Sequence, residues 1–199
     1  MNTNFFVTGD HHFGHKNIIQ FCNRPFADVE SMNQALIYSW NKTVGEQDVV
    51  YHLGDFTLSG THSAMWYFGQ LNGMIYILNN SWHHDKRWLK DVERGRAKPR
   101  SASGQLITLA PPIITIPTDL GHIVLCHYPF AAWDRKHHGA FHLHAHSHGT
   151  HSAEGRIFDA GVDSVARMTG EYRPIRVDDA VKLAMDNESF WIRNKELKR

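Results

Sequence analysis

The chain has 199 residues, of which 42% are hydrophobic and 21% are charged, and its formal net charge is +1. This composition excludes an intrinsically disordered chain, and the length favours a single domain over residues 1–199. The near-zero net charge gives no overall attraction to nucleic acid or to an anionic membrane. The unusual feature of the composition is its sixteen histidines, several of them clustered.

The cysteines and the hydrophobic segments bear on the compartment. Cys22 and Cys126 lie far apart and without metal-binding spacing, so we expect free thiols in a reducing compartment. No segment approaches the roughly 20 continuous apolar residues of a membrane-spanning helix, and the first residues do not resemble a signal peptide. We therefore expect a cytoplasmic protein with no membrane partner.

Predicted strands and helices alternate along the chain. Hydrophobic runs predict strands at residues 4–9, 48–53, Met74–Leu78, 107–116 (interrupted by a proline turn), Gly121–Cys126 and 156–160. Helical spacing predicts helices at residues 28–43, with Asp28 as N-cap, and at 63–71, 86–98 and 177–185, the last followed by an edge strand around 190–192. This order predicts an α/β fold in which the loops after the strands share one cleft.

The most concentrated histidines occur in residues 140–151, AFHLHAHSHGTH. His142, His144, His146 and His148 alternate with other residues, so in an extended strand they would project from one face. Neutral imidazoles gathered on one face are typical of a transition-metal site. For His142 and His144 the alternative is a supporting or fully hydrogen-bonded role.

Other potential ligands directly follow predicted strands. Asp10 and His12 follow the first strand, Asp55 follows Gly54 at the end of the second, and His127 follows the strand at Gly121–Cys126. Mixed carboxylate and imidazole ligands suit Mn, Fe or Zn better than Ca or Mg alone.

In order and spacing these motifs resemble those of the calcineurin-like metallophosphoesterases over roughly residues 4–163. The motifs are Asp10-x-His12, Gly54-Asp55, a third loop at residues 79–85, His127 and His146-x-His148. The opening DHHFGHKNIIQFCNRPF is similar to a small bacterial and phage-type branch of that family. The resemblance implies a four-layer α/β/β/α sandwich with a two-metal site.

The resemblance also implies a ligand set and an activity. Asp10, His12 and His148 would hold one metal ion, Asp55 would bridge both, and His127 and His146 would hold the second, with one ligand from the third loop. We expect two divalent transition-metal ions, Mn first and Fe or Zn as alternatives. The implied enzyme is a phosphoric ester hydrolase in which a metal-bridging hydroxide attacks a phosphomonoester or phosphodiester of a small molecule or nucleotide.

Two motifs depart from the family pattern. Ala145 stands where the family usually has glycine, which is a mild change. The third loop reads NNSWHHD instead of Gly-Asn-His-Asp, so that its metal ligand is either Asn80 or His83. The resemblance implies a catalytic histidine in this loop that protonates the leaving oxygen or binds the phosphate, and we favour His84 for that role.

For several residues the sequence allows two interpretations, and it also allows alternative functions. Arg24 would bind a substrate phosphate or form a structural salt bridge, and Trp82 and Trp133 would stack on a substrate ring or pack in the core. Asp163 would orient a ligand histidine or close a turn. The charged run at residues 86–100 is expected to be a solvated face. Besides a phosphoesterase, a metal-dependent nuclease and a catalytically silent metal-binding module remain alternatives.

Overall fold

The structure is a computed structural model that describes residues 3–58, 60–80, 84–151 and 153–196, with side chains to residue 188. Its strands are β1 (Phe5–Thr8), β2 (Val49–His52), β3 (Met74–Leu78), β4 (Thr108–Ala110), β5 (Ile113–Thr118), β6 (Gly121–Cys126), β7 (Phe141–His144), β8 (Ile157–Asp159) and β9 (Ile175–Arg176). Its α-helices are α1 (Ile18–Phe21), α2 (Val29–Thr43), α3 (Ala64–Phe68), α4 (Lys86–Glu93), α5 (Val162–Thr169) and α6 (Val177–Glu196), and a 3₁₀ turn covers Lys136–His138.

The strands form two mixed sheets, which confirms the predicted α/β class. The first sheet has the order β4-β3-β2-β1-β9 and the second has the order β5-β6-β7-β8. Strands β1 to β4 are parallel, as are β6 to β8, whereas β9 and β5 pair antiparallel at the ends. Because parallel strands end at the same edge, the loops after β1, β2 and β3 lie together, and so do those after β6, β7 and β8.

The two sheets share a hydrophobic core. Phe6 of β1 packs with Met32 of α2 on one face of the first sheet, where α3 also contributes. The next residue, Val7, points to the opposite face and belongs to the same cluster as Leu125 and Leu143 of the second sheet. Successive strand residues point to opposite faces, so the first sheet lies between helices and the second sheet.

The outer face of the second sheet has a smaller cluster. Val124 and Ile157 pack there against Trp133 and Ala140. Trp133 is 8% exposed and donates its indole N–H to the Ala140 carbonyl over 2.9 Å. The structure therefore favours core packing over ring stacking for this tryptophan.

The helices differ from their predictions mainly at their ends. Asp28 caps α2 as predicted and accepts a hydrogen bond from Ser31 N over 2.8 Å. Helix α4 ends at Glu93, before the predicted residue 98, because Gly95 adopts a φ of 69° that no helix continues through.

The predicted edge strand at residues 190–192 is wrong, because α6 continues to Glu196 and the β-forming tendency of that short apolar run yields to the helix. Helices α1 and α5 and strand β9 were not predicted. In the part of the chain described here, no helix has the length and apolar character needed to cross a membrane.

Candidate metal centre

The ends of the first-sheet strands bring two acidic loops together. Asp10 and His12 follow β1, and Asp55 follows β2. The two loops run side by side, because Asp10 N donates to Gly54 O and His12 N donates to Asp55 O, each over 3.0 Å. These backbone hydrogen bonds thus hold Asp10, His12 and Asp55 next to one another.

The second sheet supplies the histidines from the facing edge. His127 directly follows β6, and His146 and His148 follow β7. Ala145 N donates to His127 O over 3.0 Å, and Val162 N donates to Gly9 O over 3.1 Å, so the loops of the two sheets are tied to each other.

The prediction that four alternating histidines share one strand face is wrong. Strand β7 ends at His144, and His146 and His148 have φ values of 69° and 47°. Seven described non-glycine residues have positive φ, and five of them are candidate ligands: Asp10, His12, Asp55, His146 and His148. Such conformations cost energy in non-glycine residues and concentrate at functional sites.

His142 and His144 instead support the fold from within β7. Both are buried. The Nδ1 of His142 lies 3.0 Å from Val124 O, and its Nε2 accepts from Phe130 N over 3.2 Å. The Nδ1 of His144 lies 2.8 Å from Ala145 O. This outcome matches the supporting role that the sequence left open.

His84 forms one possible metal-binding group with His12 and Asp55, and the predicted ligands fall into two triads. Asp10, His12 and His148 form one and Asp55, His127 and His146 form the other, and within each triad the potential ligand atoms lie within 4.8 Å of one another. Asp55 Oδ2 lies 3.6 Å from Nε2 of His12 and 3.6 Å from Nε2 of His127. Two ligand atoms bound at about 2.1 Å to one tetrahedral ion are about 3.4 Å apart, so these spacings fit shared coordination better than hydrogen bonding. Asp55 therefore lies between the two triads.

The first triad contains buried polar atoms without hydrogen bonds. Asp10 is 0% exposed and His12 is 2% exposed. Neither carboxylate oxygen of Asp10 and neither ring nitrogen of His12 has a hydrogen-bond partner among the residues that the structure describes. An unsatisfied buried polar group costs about 1–3 kcal/mol, and a cation would satisfy both side chains at once. The donor set thus fits a divalent metal ion.

The pKa values of Asp10 and His12 also favour a bound cation. Burial raises the pKa of Asp10 well above its ordinary value, with smaller effects from neighbouring charges. Burial also lowers the pKa of His12 well below its ordinary value. A low-dielectric site drives both groups to their neutral forms unless a cation compensates the carboxylate.

His148 is held by a buried carboxylate. Its Nδ1 lies 2.7 Å from Asp163 Oδ2. Burial alone would lower the pKa of His148, but its hydrogen bonds to Asp163 and Cys22 and the charges of Asp10 and Asp163 raise it to about 10. A carboxylate on Nδ1 is the usual orienting partner of a metal-binding histidine and leaves Nε2 for the ion.

Arg24 belongs to the same network. Its Nε and Nη2 donate to the two oxygens of Asp163, each over 2.8 Å, and its Nη2 and Nη1 donate to the carbonyls of Asp10 and His11 over 2.7 and 2.9 Å. The side chain is 0% exposed. The structure therefore assigns Arg24 to the structural ion pair and not to substrate binding, and the predicted substrate-binding role is corrected.

The third loop adjoins Asp55. The backbone N–H of His84 donates to Asp55 Oδ1 over 2.9 Å, and the exposed His84 ring lies 5.5 Å from the ring of His12. Asp85 accepts from Phe56 N and Thr57 N over 2.8 and 3.0 Å, which ties this loop to the loop after β2. These contacts place the backbone of His84 beside the candidate ligand Asp55.

The metal ligand of the third loop stays a prediction. Asn80 is buried at the end of β3, at 4% exposure. His83, the alternative ligand, and Trp82 lie outside the described residues.

Sequence reasoning missed Asp159. Its Oδ2 accepts from the Ser147 hydroxyl over 2.9 Å and from Gly149 N over 2.7 Å, and its Oδ1 accepts from Gly161 N over 2.9 Å. These bonds shape the turn that carries His146 and His148. Its position at the end of β8 could have identified it, because Asp10 and Asp55 were selected for their positions at strand ends.

Comparisons with known proteins give relatives without assigned activities. No model of a known protein family matches the chain. An uncharacterized protein of Methanocaldococcus jannaschii is 45% identical over 83 residues, 41% of this chain and 46% of that protein, so the chain spans under half of that relative's length. The Gene 66 proteins of two Mycobacterium phages are 26% and 24% identical over 165 and 189 residues, covering 73% and 83% of this chain and 79% and 89% of theirs.

A solved structure has the same fold. The crystal structure of a protein of unknown function from Aquifex aeolicus matches with a TM-score of 0.64 and 20% identity, over 92% of this chain and 100% of that one. At this identity the likeness shows a shared fold alone.

Proposed function

We propose that the chain is a dinuclear-metal-dependent phosphoesterase that hydrolyses a phosphomonoester or phosphodiester. The observation that carries the proposal is the pair of ligand triads with Asp55 between them, together with the unpartnered buried atoms of Asp10 and His12. When bound, two divalent cations supply Lewis-acid chemistry, which lowers the pKa of a water molecule and neutralises charge on a phosphoryl group. We propose Mn²⁺ first, with Fe or Zn as alternatives.

The charges of the ligands suit an anionic substrate. Asp10 and Asp55 are the acidic members of the two triads, and the others are imidazoles. Two carboxylates leave two divalent ions with a net positive charge, which attracts a phosphate ester. His148 keeps its orientation through Asp163, so the donor set stays in place while substrate exchanges.

His84 is the proposed proton donor to the leaving oxygen. Its ring is exposed, while its backbone holds it against Asp55. An imidazole at the solvent side of the ligand cluster reaches a substrate without itself being a buried ligand. Proton donation from such a group contributes typically 10²–10⁴-fold to a hydrolysis rate.

We also propose that the fold is the four-layer α/β/β/α sandwich of the metallophosphoesterases. Three of these layers are helices α2 and α3, the first sheet and the second sheet. The first sheet shares one hydrophobic cluster with the helices and another with the second sheet. Helix α6 contacts strands of both sheets, and its buried residues belong to the cluster between them, so the fourth layer stays a prediction.

Metal analysis and hydrolysis assays on the same samples test the function. The purified protein should bind two equivalents of Mn²⁺ and hydrolyse p-nitrophenyl phosphate or bis-p-nitrophenyl phosphate. Asp55→Asn should lose metal and activity together, whereas His84→Ala should keep the metal and lose at least about 100-fold in kcat. The control is His138→Ala, which changes an exposed histidine outside both triads. Two bound metals without turnover of either ester would overturn the enzyme and leave the silent metal-binding module.

A further inference from the structure

The positive charge of the chain is concentrated in one segment. Residues 86–100 contain seven of the 21 Lys and Arg residues but two of the 20 Asp and Glu residues. This segment therefore carries a formal charge of +5, and the rest of the chain, with fourteen cations and eighteen acids, carries −4. The net charge of +1 hides this asymmetry, which is why composition alone indicated no attraction to polyanions.

All seven cations face solvent. They are Lys86, Arg87, Lys90, Arg94, Arg96, Lys98 and Arg100, and each is exposed. Within the described residues, one of the seven is in an ion pair, Arg96 with Asp91 at 3.7 Å. We call these seven residues the basic face. Because these cations outnumber the two acids of the segment, Asp91 and Glu93, an anionic partner would stabilise this surface.

The basic face begins beside the candidate metal centre. Helix α4 starts at Lys86, two residues after His84, and the loop before it is tied to Asp55 through His84 N. Lys86 and Lys90, together with Glu93, also line a depression of about 210 Å³ next to Asn80, which lies two residues after β3. A chain of phosphates lying on α4 would therefore lead into the site.

An exposed aromatic side chain lies on the other side of His84. Phe21 is 72% exposed, and its ring meets that of His15 edge-on at 6.2 Å. The ring of His15 in turn lies 6.4 Å from that of His84. Single-stranded nucleic acids bind proteins through cations along the backbone and aromatic rings that stack on bases.

A membrane surface fits these observations less well. Helices that bind membranes expose an apolar face next to their basic face. The apolar residues of α4 point inward instead, because Leu89 is 1% exposed and Trp88 packs against the core cluster beneath the helix. The surface of α4 is thus basic without an apolar part to insert into lipid.

We propose that the basic face and Phe21 form a binding surface for a single-stranded polynucleotide that passes over His84. Binding of such a strand does not depend on the proposed phosphoesterase function. Only its role as the substrate rests on that function.

Salt-dependent binding tests the surface without any turnover. Fluorescence anisotropy of a labelled single-stranded DNA of about 12 nucleotides is measured with the protein as purified, between low and physiological salt. Each phosphate contact contributes about 0.7 to the magnitude of the slope of log K against log salt concentration. The double variant Lys90→Gln with Arg94→Gln should therefore lower that magnitude by about 1.4. It should also weaken binding at least about tenfold at low salt. Phe21→Ala should weaken binding at least about fivefold with an unchanged slope.

The control changes the net charge equally at a distance. Lys42→Gln with Lys182→Gln removes two exposed cations from α2 and α6 and should leave both affinity and slope unchanged. Equal losses in the two double variants would overturn the proposal, as would the absence of salt-dependent binding by the unaltered protein. Binding to anionic lipid vesicles but not to DNA would overturn it in favour of a membrane. DNA binding without hydrolysis of any ester would overturn the proposed function and leave this surface standing.

Discussion

A single buried carboxylate, Asp163, organises the first ligand triad. It accepts two hydrogen bonds from Arg24 and one from His148 Nδ1, and Arg24 continues the network to the backbone of Asp10. Burial would raise the pKa of Asp163, but the hydrogen bonds from His148 and Arg24 hold it below its usual value. The charge of Asp163 thus fixes a candidate ligand histidine and the loop of a candidate ligand aspartate at once.

We expect Asp163→Asn to weaken metal binding. The neutral amide no longer stabilises His148 in its orienting hydrogen bond, and loss of such a partner typically lowers metal affinity 10–100-fold. The buried Arg24 also loses its counter-ion, which costs on the order of 3 kcal/mol of folding free energy. Calorimetric titration with Mn²⁺ and urea unfolding measure the two effects, and Asp119→Asn, at an exposed turn, is the control. Unchanged Mn²⁺ affinity in a folded variant would show that Asp163 does not support a metal ligand.

At the scale of elements, the two sheets approach each other closely beside the candidate centre. A Cβ on Gly9, at the end of β1, would lie 2.6 Å from the Cβ of Ala145, at the end of β7. Ala145 directly precedes the candidate ligand His146, so this close approach lies beside the candidate centre. The methyl group of Ala145 is therefore accommodated by the absence of a side chain at Gly9, across the interface between the sheets.

We expect Gly9→Ala to force the ends of β1 and β7 apart. Overpacking of this kind typically costs about 1–3 kcal/mol, and the displaced loops should also weaken metal binding. Ala145→Gly should rescue Gly9→Ala, since it removes the opposing methyl group. Urea unfolding of the single and double variants measures the coupling. If the two substitutions have additive effects, the close approach does not limit the packing of the sheets.

The strand-end positions of the candidate ligands were predictable, whereas the pairing of the residues that support them was not. Asp10, Asp55 and His127 each follow a short apolar run, which locates them from local sequence alone. The ion pair between Arg24 and Asp163 joins residues 139 positions apart, and no local pattern carries it. The turn after β7 was missed because period-two spacing predicts a strand even where backbone φ becomes positive.

At the scale of the whole molecule, we expect buried histidines to make the stability of the fold depend on pH. Burial lowers the pKa of His142 to about 4, with backbone hydrogen bonds opposing part of the effect. Burial and the charge of Arg24 lower the pKa of His11 to about 3. Both rings are neutral in the folded state, whereas in the unfolded chain they take up protons near pH 6.5.

The sign of the resulting pH dependence follows from the two pKa values of His142. Above about pH 6.5 the ring is neutral in both states, so its full contribution to stability is present. As the pH falls from about 6.5 towards about 4, only the unfolded chain takes up the proton, and the free energy of unfolding drops by up to about 3 kcal/mol. His142→Gln should be less stable at pH 7, because it loses hydrogen bonds in β7, but its stability should fall less steeply towards pH 4.5.

Urea unfolding at pH 7, 6, 5 and 4.5 measures how the free energy of unfolding depends on pH for the unaltered protein, for His142→Gln and for His138→Gln. The metal concentration is held constant, so that titration of the candidate ligands contributes equally to all three proteins. His138 is exposed, and its replacement should give a plot of unfolding free energy against pH that is parallel to that of the unaltered protein. If the curve of His142→Gln is parallel as well, His142 does not take up a proton on unfolding, and the acid sensitivity of the fold comes from other groups.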